Sequence, residues 1–361
     1  MKLLLPLYIL LLISCTTRNS DMTLEDLSKI DPKFDYPLDS IINKMDIIPL
    51  ETSDRCLIEN IVSIKESKDY YYILSDKNQA LYKFDKNGKF ISKIGNKGQG
   101  PGEYISINQI EVDNAQSVIY VLDYFGQSLL LYDFDGNYIK SFKLPKDHSF
   151  NKFALSNDGI YYFSSSNSIM PNVIFFNINT SLFEYISKGE RVMEKGEFYF
   201  GDTFPYEHGD RISFYHYFND TIYSIKDNRL VCEDILNLGK YQVTIEEAKD
   251  ILNINKSKIQ IENILSLSGY TFIFYVVTRY NDEGRKKFMA MKTDNEFYPH
   301  ANLTGKSFIS ISNASPFFIS NLSSTIIRGV MPSDLDKSVL IKYNINLEDN
   351  PVLLVYHIKS K

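Results

Sequence analysis

Leu81-Tyr82-Lys83-Phe84-Asp85-Lys86-Asn87-Gly88-Lys89-Phe90, met again as Leu131-Tyr132-Asp133-Phe134-Asp135-Gly136-Asn137-Tyr138, decides the fold. The Tyr-x-Phe-Asp core recurs at an offset of 50 residues, from Tyr82 to Tyr132. Each copy is an apolar, aromatic run ending in a Gly-bearing turn, and Asn87-Gly88 supplies the positive φ values of a tight hairpin. Strand-and-turn repeats of this period are the blades of a β-propeller. Between the copies lies Ile94-Gly95-Asn96-Lys97-Gly98-Gln99-Gly100-Pro101-Gly102-Glu103-Tyr104. It reads as the crossover from one blade to the next, with glycines for the unusual dihedrals and Pro101 to stiffen the turn.

The series extends outward from this pair. Tyr70 to Leu74 matches Val118 to Asp123 in front of the two copies. Weaker copies follow at Gly159 to Ile186, Arg211 to Leu238 and Thr271 to Lys292, and Phe308 to Ile358 supplies a sixth. The chain is therefore expected to be all-β, a six-bladed β-propeller of four-stranded antiparallel blades over residues 41–361. A short helical insertion is expected near 244–253, because Thr244-Ile245-Glu246-Glu247 forms a capping box with Val243 and Ala248 at the staple positions. Met331 to Leu335 is expected to start a second short turn. An open array would expose two sheet edges. The strand Ile47 to Leu50 is therefore expected to join Pro351 to Tyr356 in the last blade.

Composition narrows the function. The 361 residues include 26 Tyr and 24 Phe but no Trp, and the net charge is −6 with no basic cluster. Nucleic acid is not an expected partner, since phosphate binding needs Lys and Arg concentrated on one face. Met1-Lys2 precedes an apolar run from Leu3 to Ile13, shorter than the roughly 20 residues that span a bilayer. Leu12-Ile13-Ser14-Cys15 resembles a bacterial lipobox. Residues 1–14 are read as a lipoprotein signal peptide, Cys15 as the lipidation site and 15–40 as a lipidated tether, which makes the membrane a partner through lipid on Cys15. Cys56 and Cys232 fall in different blades and are read as two small buried thiols rather than a disulfide.

Several stretches together resemble the six-bladed β-propeller lipoproteins of Bacteroidetes, a group broadly similar to NHL propellers. They are Ile48-Pro49-Leu50-Glu51-Thr52, the Leu81 to Ile94 unit with Gly98 to Tyr104 after it, Asn219 to Tyr223, and Asn350-Pro351. The resemblance implies the fold, export and an anchor in the cell envelope at the outer membrane, but no assigned activity. Thr16 to Ser20 lacks the acidic run that resembles a surface-export signal in such bacteria, which favours a periplasm-facing position.

No constellation commits the chain to catalysis. Gly98 to Glu103 is not a phosphate loop: it does not open a helix, it lacks Lys-Ser/Thr, and Pro101 removes a donor. Glu103 is expected to accept from backbone N–H groups of that loop instead. His148, His208, His216, His300 and His357 show no zinc-ligand spacing. Asp133 to Gly136 lacks the ligand run of a calcium loop and reads as a hairpin turn. No Gly-x-Ser-x-Gly elbow is found. Tyr70 to Tyr72 and Tyr161 to Phe163 are expected between blades; Phe198 to Phe200 and Tyr206 are candidates to stack on a sugar or anchor a partner, with packing the first expectation for them. No catalytic, cofactor-binding or metal residue is assigned and no cofactor is expected. The expected function is non-catalytic recognition of an envelope protein or glycan, through blade-connecting loops that include Gly189 to Asp210. The alternative is a metal-dependent lyase or lactonase-like hydrolase using the central channel, and a third possibility is a structural accessory of an envelope complex. Replacing Cys15 with Ala is expected to abolish acylation and shift the protein out of the membrane fraction, read by intact mass and detergent partitioning.

Overall fold

The computed structural model describes residues 22–23 and 36–359, apart from 77–78, 146–149, 165–169, 190–202, 209–210, 218–219, 245–246, 248–256, 280–284, 295, 300, 303–316 and 320–323. The expected signal peptide, Cys15 and Phe198 to Phe200 lie outside the described residues.

Six antiparallel sheets follow one another along the chain and close into a ring. Blade 1 is Ile61–Glu66, Tyr70–Ser75, Ala80–Asp85 and Phe90–Ile94. Blade 2 is Ile107–Asp113, Val118–Asp123, Ser128–Asp133 and Tyr138–Lys143. Blade 3 is Phe150–Ser156, Gly159–Ser164, Asn172–Asn177 and Leu182–Ser187. Blade 4 is Thr203–His208, Arg211–His216, Thr221–Lys226 and Arg229–Asn237. Blade 5 is Ser257–Leu267, Tyr270–Arg279, Arg285–Lys292 and Phe297–Tyr298. Blade 6 takes Phe317–Ile319, Thr325–Val330 and Val352–Ile358 from the end of the chain and Ile42–Pro49 from its beginning.

The two middle strands of a blade are buried on both faces, so Tyr71 to Leu74 and Ile119 to Leu122 are continuous apolar runs rather than alternating ones. Successive side chains still point to opposite faces. Tyr71 and Ile73 pack with Ile327, Leu353 and Val355 of blade 6, while Tyr72 and Leu74 pack with Ile119, Val121 and Leu130 of blade 2. The core is thus a set of wedges between blades. Each fully buried aromatic or aliphatic side chain contributes about 1.5–3 kcal/mol to it.

The repeat is real, and its register is 48 rather than 50. Ser75 pairs with Ala80 and Asp123 with Ser128, so Asp85 corresponds to Asp133 and Gly88 to Gly136. The Tyr-x-Phe-Asp match at 50 is slipped by two residues, a slip that keeps every side chain on its face. The turn fixes the true frame. Asp85 Oδ1 accepts from the N–H groups of Asn87 and Lys89, each at 2.9 Å, and Asp133 Oδ1 does the same for Asp135 and Asn137 at 2.9 and 2.8 Å. These are turns of hairpins, as expected. Burial works against the charged form of Asp133, but the Asn137 amide and the turn N–H groups outweigh it and hold the carboxyl below the usual carboxylate range.

The expected closure is present. Ile48 pairs with Leu353 and Pro49 with Val352 across an antiparallel register. His357 Nε2 lies 2.8 Å from Asp46 Oδ2 on the same pair of strands. Asn350, almost fully buried, fastens the joint. Its Oδ1 accepts from Ile58 N–H at 2.8 Å, its Nδ2 donates to the carbonyls of Glu51 and Cys56 at 2.7 and 2.6 Å, and its N–H donates to Thr52 Oγ1 at 2.8 Å.

Within the segment read as tether, Met22–Thr23 pairs in parallel with Leu236–Asn237 on the outer edge of blade 4. Tyr36–Pro37 pairs in parallel with Ala301–Asn302, just beyond blade 5. Leu38 and Ile41 are buried in the core shared by blades 5 and 6.

The capping box forms: Glu247 N–H donates to Thr244 Oγ1 at 3.2 Å, and Thr244 N–H donates to Glu247 Oε2 at 3.0 Å. Most of the helix expected at 244–253 lies outside the described residues. A one-turn 3-10 helix occupies Pro332–Asp334, at the short turn expected from Met331 to Leu335. The α-helix Lys337–Tyr343 that follows has no counterpart among the expected elements; its seven residues are too few for a clear helical period, and Asn344 caps it at φ +52°.

Asn350→Ala is expected to strand a buried N–H and two carbonyls, at a cost on the order of 3 kcal/mol. Urea unfolding of the variant against the parent checks this, and Asn350→Asp, which cannot donate to either carbonyl, is expected to rescue nothing.

Candidate functional site

The innermost strands surround the axis, each touching the next all the way round the ring. Each is the inner edge strand of its sheet and faces the channel. Four of them carry a bulge at one place. The register slips between Ile61 and Ser63, Ile107 and Gln109, Phe150 and Lys152, and Ile261 and Asn263. Two residues then stand where one would. The buried positions fall three apart: Ile61 and Ile64, Ile107 and Ile110, Phe150 and Phe153, Ile261 and Ile264. Between them Val62-Ser63, Asn108-Gln109, Asn151-Lys152 and Glu262-Asn263 remain accessible and line the channel. Bulges re-aim side chains beside functional sites and at barrel rims. Thr203–His208 of blade 4 pairs without such a slip.

Polar side chains tie this wall together. Gln109 works as an extra peptide group on the edge of blade 3: its Nε2 donates to Phe153 O at 2.8 Å and its Oε1 accepts from Phe153 N–H at 2.9 Å. Asn108 donates to the carbonyl of Asn151. Lys65 of blade 1 and Glu111 of blade 2 form an ion pair at 2.6 Å, largely shielded from solvent. Glu207 of blade 4 faces the same pair. Its side chain is reached by water, with protein crowding it from the surrounding blades. That desolvation raises its carboxyl pKa, the Glu111 charge raises it further, and Lys65 only partly offsets this. The wall therefore joins one neutralised pair, one carboxyl that holds its proton more readily than usual, and amides on three strands. It can bind polar or cationic groups. Among the described residues, no three His, Cys, Asp or Glu side chains converge as a metal-holding group.

The residues singled out in the sequence are placed as follows. The Gly98 to Glu103 crossover is structural. Gly100 N–H donates to Glu103 Oε2 at 2.8 Å and Gly98 N–H to Tyr104 O at 2.9 Å. A Cβ on Gly98 would meet that carboxylate at 2.0 Å. His216 is buried and bonded to Thr203 Oγ1 at 2.9 Å, and His357 belongs to the closure. His148 and His300 lie outside the described residues. Cys56 is a free, buried thiol in the blade 6–blade 1 core. Cys232 is half-buried on the outer strand of blade 4. The two do not pair with each other, and the reading of two small buried thiols holds for Cys56 alone. Tyr206 is buried in the core between blades 4 and 5 and packs rather than presenting itself to a ligand. Residues 203–208 of the stretch expected to form a binding loop are in fact the innermost strand of blade 4. Lys65, Gln109 and Glu111 do not stand out in the sequence, and Glu207 enters it only as a neighbour of His208 within the expected 189–210 loop. The apolar-x-x-apolar spacing that brackets the bulge is the available signal.

Comparison with known proteins bears on the same features. Residues 26–357 match a family described as a domain of unknown function, DUF4934, and the chain belongs to that family. A candidate exported protein of Bacteroides fragilis superposes with a TM-score of 0.66 at 22% identity, covering 90% of this chain and 97% of that one. A DUF4221 family member from Bacteroides vulgatus superposes at 0.57 with 12% identity, covering 89% and 98%. Virginiamycin B lyase of Staphylococcus aureus reaches 0.48 at 11% identity, covering 87% and 99%. No curated protein matches the sequence. At these identities the likeness defines the fold and nothing finer. No helix among the described residues is long and apolar enough to cross a membrane.

The raised carboxyl of Glu207 has a signed consequence. A group whose folded pKa exceeds its unfolded value contributes stability that is full below the unfolded pKa and lost as pH rises through the folded one. Glu207→Gln is therefore expected to be modestly more stable than the parent at pH 7. Below the ordinary glutamate range the two are expected to coincide, as read by denaturant midpoints across pH.

Proposed function

We infer that the protein is an exported, lipid-anchored propeller that recognises an envelope protein or glycan at the mouth of its channel without turning it over. One observation carries the reading. The channel wall is a rigid polar surface whose groups hold one another, the Lys65–Glu111 pair and the Gln109–Phe153 bridge above all. Such a wall recognises polar groups by complementarity and loses little freedom on binding. The lyase or lactonase alternative has less behind it, as no metal-holding group converges among the described residues. Export is supported by the lipobox-like Leu12 to Cys15 and by the similarity to a Bacteroides protein described as a candidate exported protein. The anchor is assigned to the outer membrane on its periplasmic side.

The test is a mild-detergent purification of the tagged, lipidated protein from its own membranes, with parent and Glu207→Lys compared. The expected result is a stoichiometric partner or bound glycan whose recovery drops about tenfold in the variant, as for a central contact of an interface. Ligand-dependent turnover by the purified protein, or equal recovery with both forms, overturns the reading.

A further inference from the structure

Blades 1 and 2 use the same turn between their second and third strands, and only blade 2 puts aromatic residues on it. In blade 1 Asp76 N–H donates to Asn60 O at 3.0 Å, Gln79 N–H donates to Asp76 O at 3.1 Å, and Gln79 Nε2 donates to that same carbonyl at 3.1 Å. In blade 2 Tyr124 N–H donates to Ser106 O at 2.9 Å, Gln127 N–H donates to Tyr124 O at 3.4 Å, and Gln127 Nε2 donates to that carbonyl too. Gln79 and Gln127 share a positive φ, +50° and +45°. Backbone bonds and one glutamine therefore suffice to make the turn. In the register that aligns Asp85 with Asp133, Tyr124-Phe125 stands where the sequence of blade 1 reads Asp76-Lys77. The turn itself has no need of an aromatic pair.

The core does not use the pair either. Phe125 is 69% exposed. Its ring meets that of Tyr124 edge to face, with centroids 5.3 Å apart. The turn beneath is held firmly. Asp123 Oδ1 accepts from Gly126 N–H at 3.1 Å and from Ser106 N–H at 2.9 Å, and its Oδ2 accepts from Ile105 N–H at 2.9 Å. A Cβ on Gly126 would meet Asp123 Oδ2 at 2.0 Å, so the turn fits closely over that buried carboxylate. An exposed ring on a fixed turn loses little freedom when a ligand stacks on it.

The surroundings decide what can stack there. Ser106, whose carbonyl holds Tyr124, donates from Oγ to Gln79 Oε1 at 3.3 Å, and both residues are half-buried. Lys143, exposed on the outer strand, donates to Gly126 O at 3.3 Å. A hydroxyl, an amide and an ammonium thus border the aromatic pair. One exposed Phe and one half-buried Tyr offer far less than the roughly 800 Å² per partner of a stable protein interface. They suit the apolar C–H face of a hexose ring, whose hydroxyls project from the ring edge toward polar neighbours.

We propose that Tyr124-Phe125 is the stacking platform of a glycan-binding subsite bordered by Gln79, Ser106 and Lys143. It lies on the face where the innermost strands begin. Ser106 immediately precedes Ile107–Asp113, so the platform is at the same end of blade 2 as Asn108-Gln109 of the channel wall. The inference rests on the recognition role proposed above and narrows the ligand from protein or glycan to glycan.

The test uses polysaccharide released from the envelopes of the cells that make the protein, freed of protein by exhaustive proteolysis and immobilised. Full-length parent, Phe125→Trp and Phe125→Lys proteins are passed over it. Phe125→Lys gives blade 2 the residue that blade 1 has at this place, so its urea midpoint is expected to equal the parent's. The parent and Phe125→Trp are expected to be retained, and Phe125→Lys to bind about tenfold more weakly, the loss of one aromatic stacking contact. Periodate cleavage of the sugar diols is expected to abolish retention. Because the chain has no tryptophan, the indole of Phe125→Trp reports the contact directly, and its emission is expected to shift to shorter wavelength when soluble polysaccharide is added. Equal retention of parent and Phe125→Lys, retention that survives periodate, or an unshifted indole overturns the platform. A parent that is not retained overturns it as well. In that event a stoichiometric partner recovered in the detergent purification leaves the recognition role standing, and none recovered overturns both.

Discussion

The pairing of Ile42–Pro49 with Val352–Ile358 is the constraint on which everything else depends. A blade is two strands deep in apolar surface on both faces, so it is stable only between two others. Without the closing strand, blade 6 would offer the buried strand Val352–Ile358 to solvent, and Ile48 would be lost from the core that Tyr71, Ile73 and Phe84 share with Ile327 and Leu353. The joint is made by main-chain ladders and then pinned by one amide. Asn350 satisfies groups from Glu51 to Ile58, and so welds the crossover that enters blade 1 to the segment that ends blade 6.

Closure covers the two end faces of the array but leaves the inner edges of the blades facing the axis. The chain treats them with bulges and amides. Each bulge breaks the ladder at one point and turns two side chains to the channel, and Gln109 then covers the exposed peptide of Phe153 as a neighbouring strand would. The polar character of the channel is thus a by-product of protecting edges. Recognition can build on it because those groups are already held in place.

The fold is legible in the sequence wherever a blade is sandwiched most tightly. The middle strands are continuous apolar runs, and the hairpin turns carry Asp-x-x-Gly, so blades 1 and 2 can be read directly. The closing strand can be read from the need to hide an edge. The innermost strands cannot, because the bulge destroys the two-residue period: Ile107 and Ile110 are three apart, and Asn108-Gln109 between them looks like loop. Glu207 escapes notice for a related reason, since Thr203–His208 is short and mixed in character and Gly196 and Gly201 precede it. The charge cluster is beyond reach in principle. Lys65, Glu111 and Glu207 come from three blades, and only ring geometry brings them together. The helix Lys337–Tyr343 is too short to show a period.

The placement of the closing strand also governs the order of assembly. Ile42–Pro49 is made before the other strands of the ring, yet its partner Val352–Ile358 is made after them. Throughout synthesis the early strand has nothing to pair with, and the contact that completes the ring spans nearly the whole chain. Loop closure over such a separation is slow relative to the local hairpins of blades 1 to 5. The finished ring therefore certifies that Val352–Ile358 has been made: a chain cut short before Val352 keeps its hairpins but has no joint, and blades 1 and 6 stay open to proteolysis.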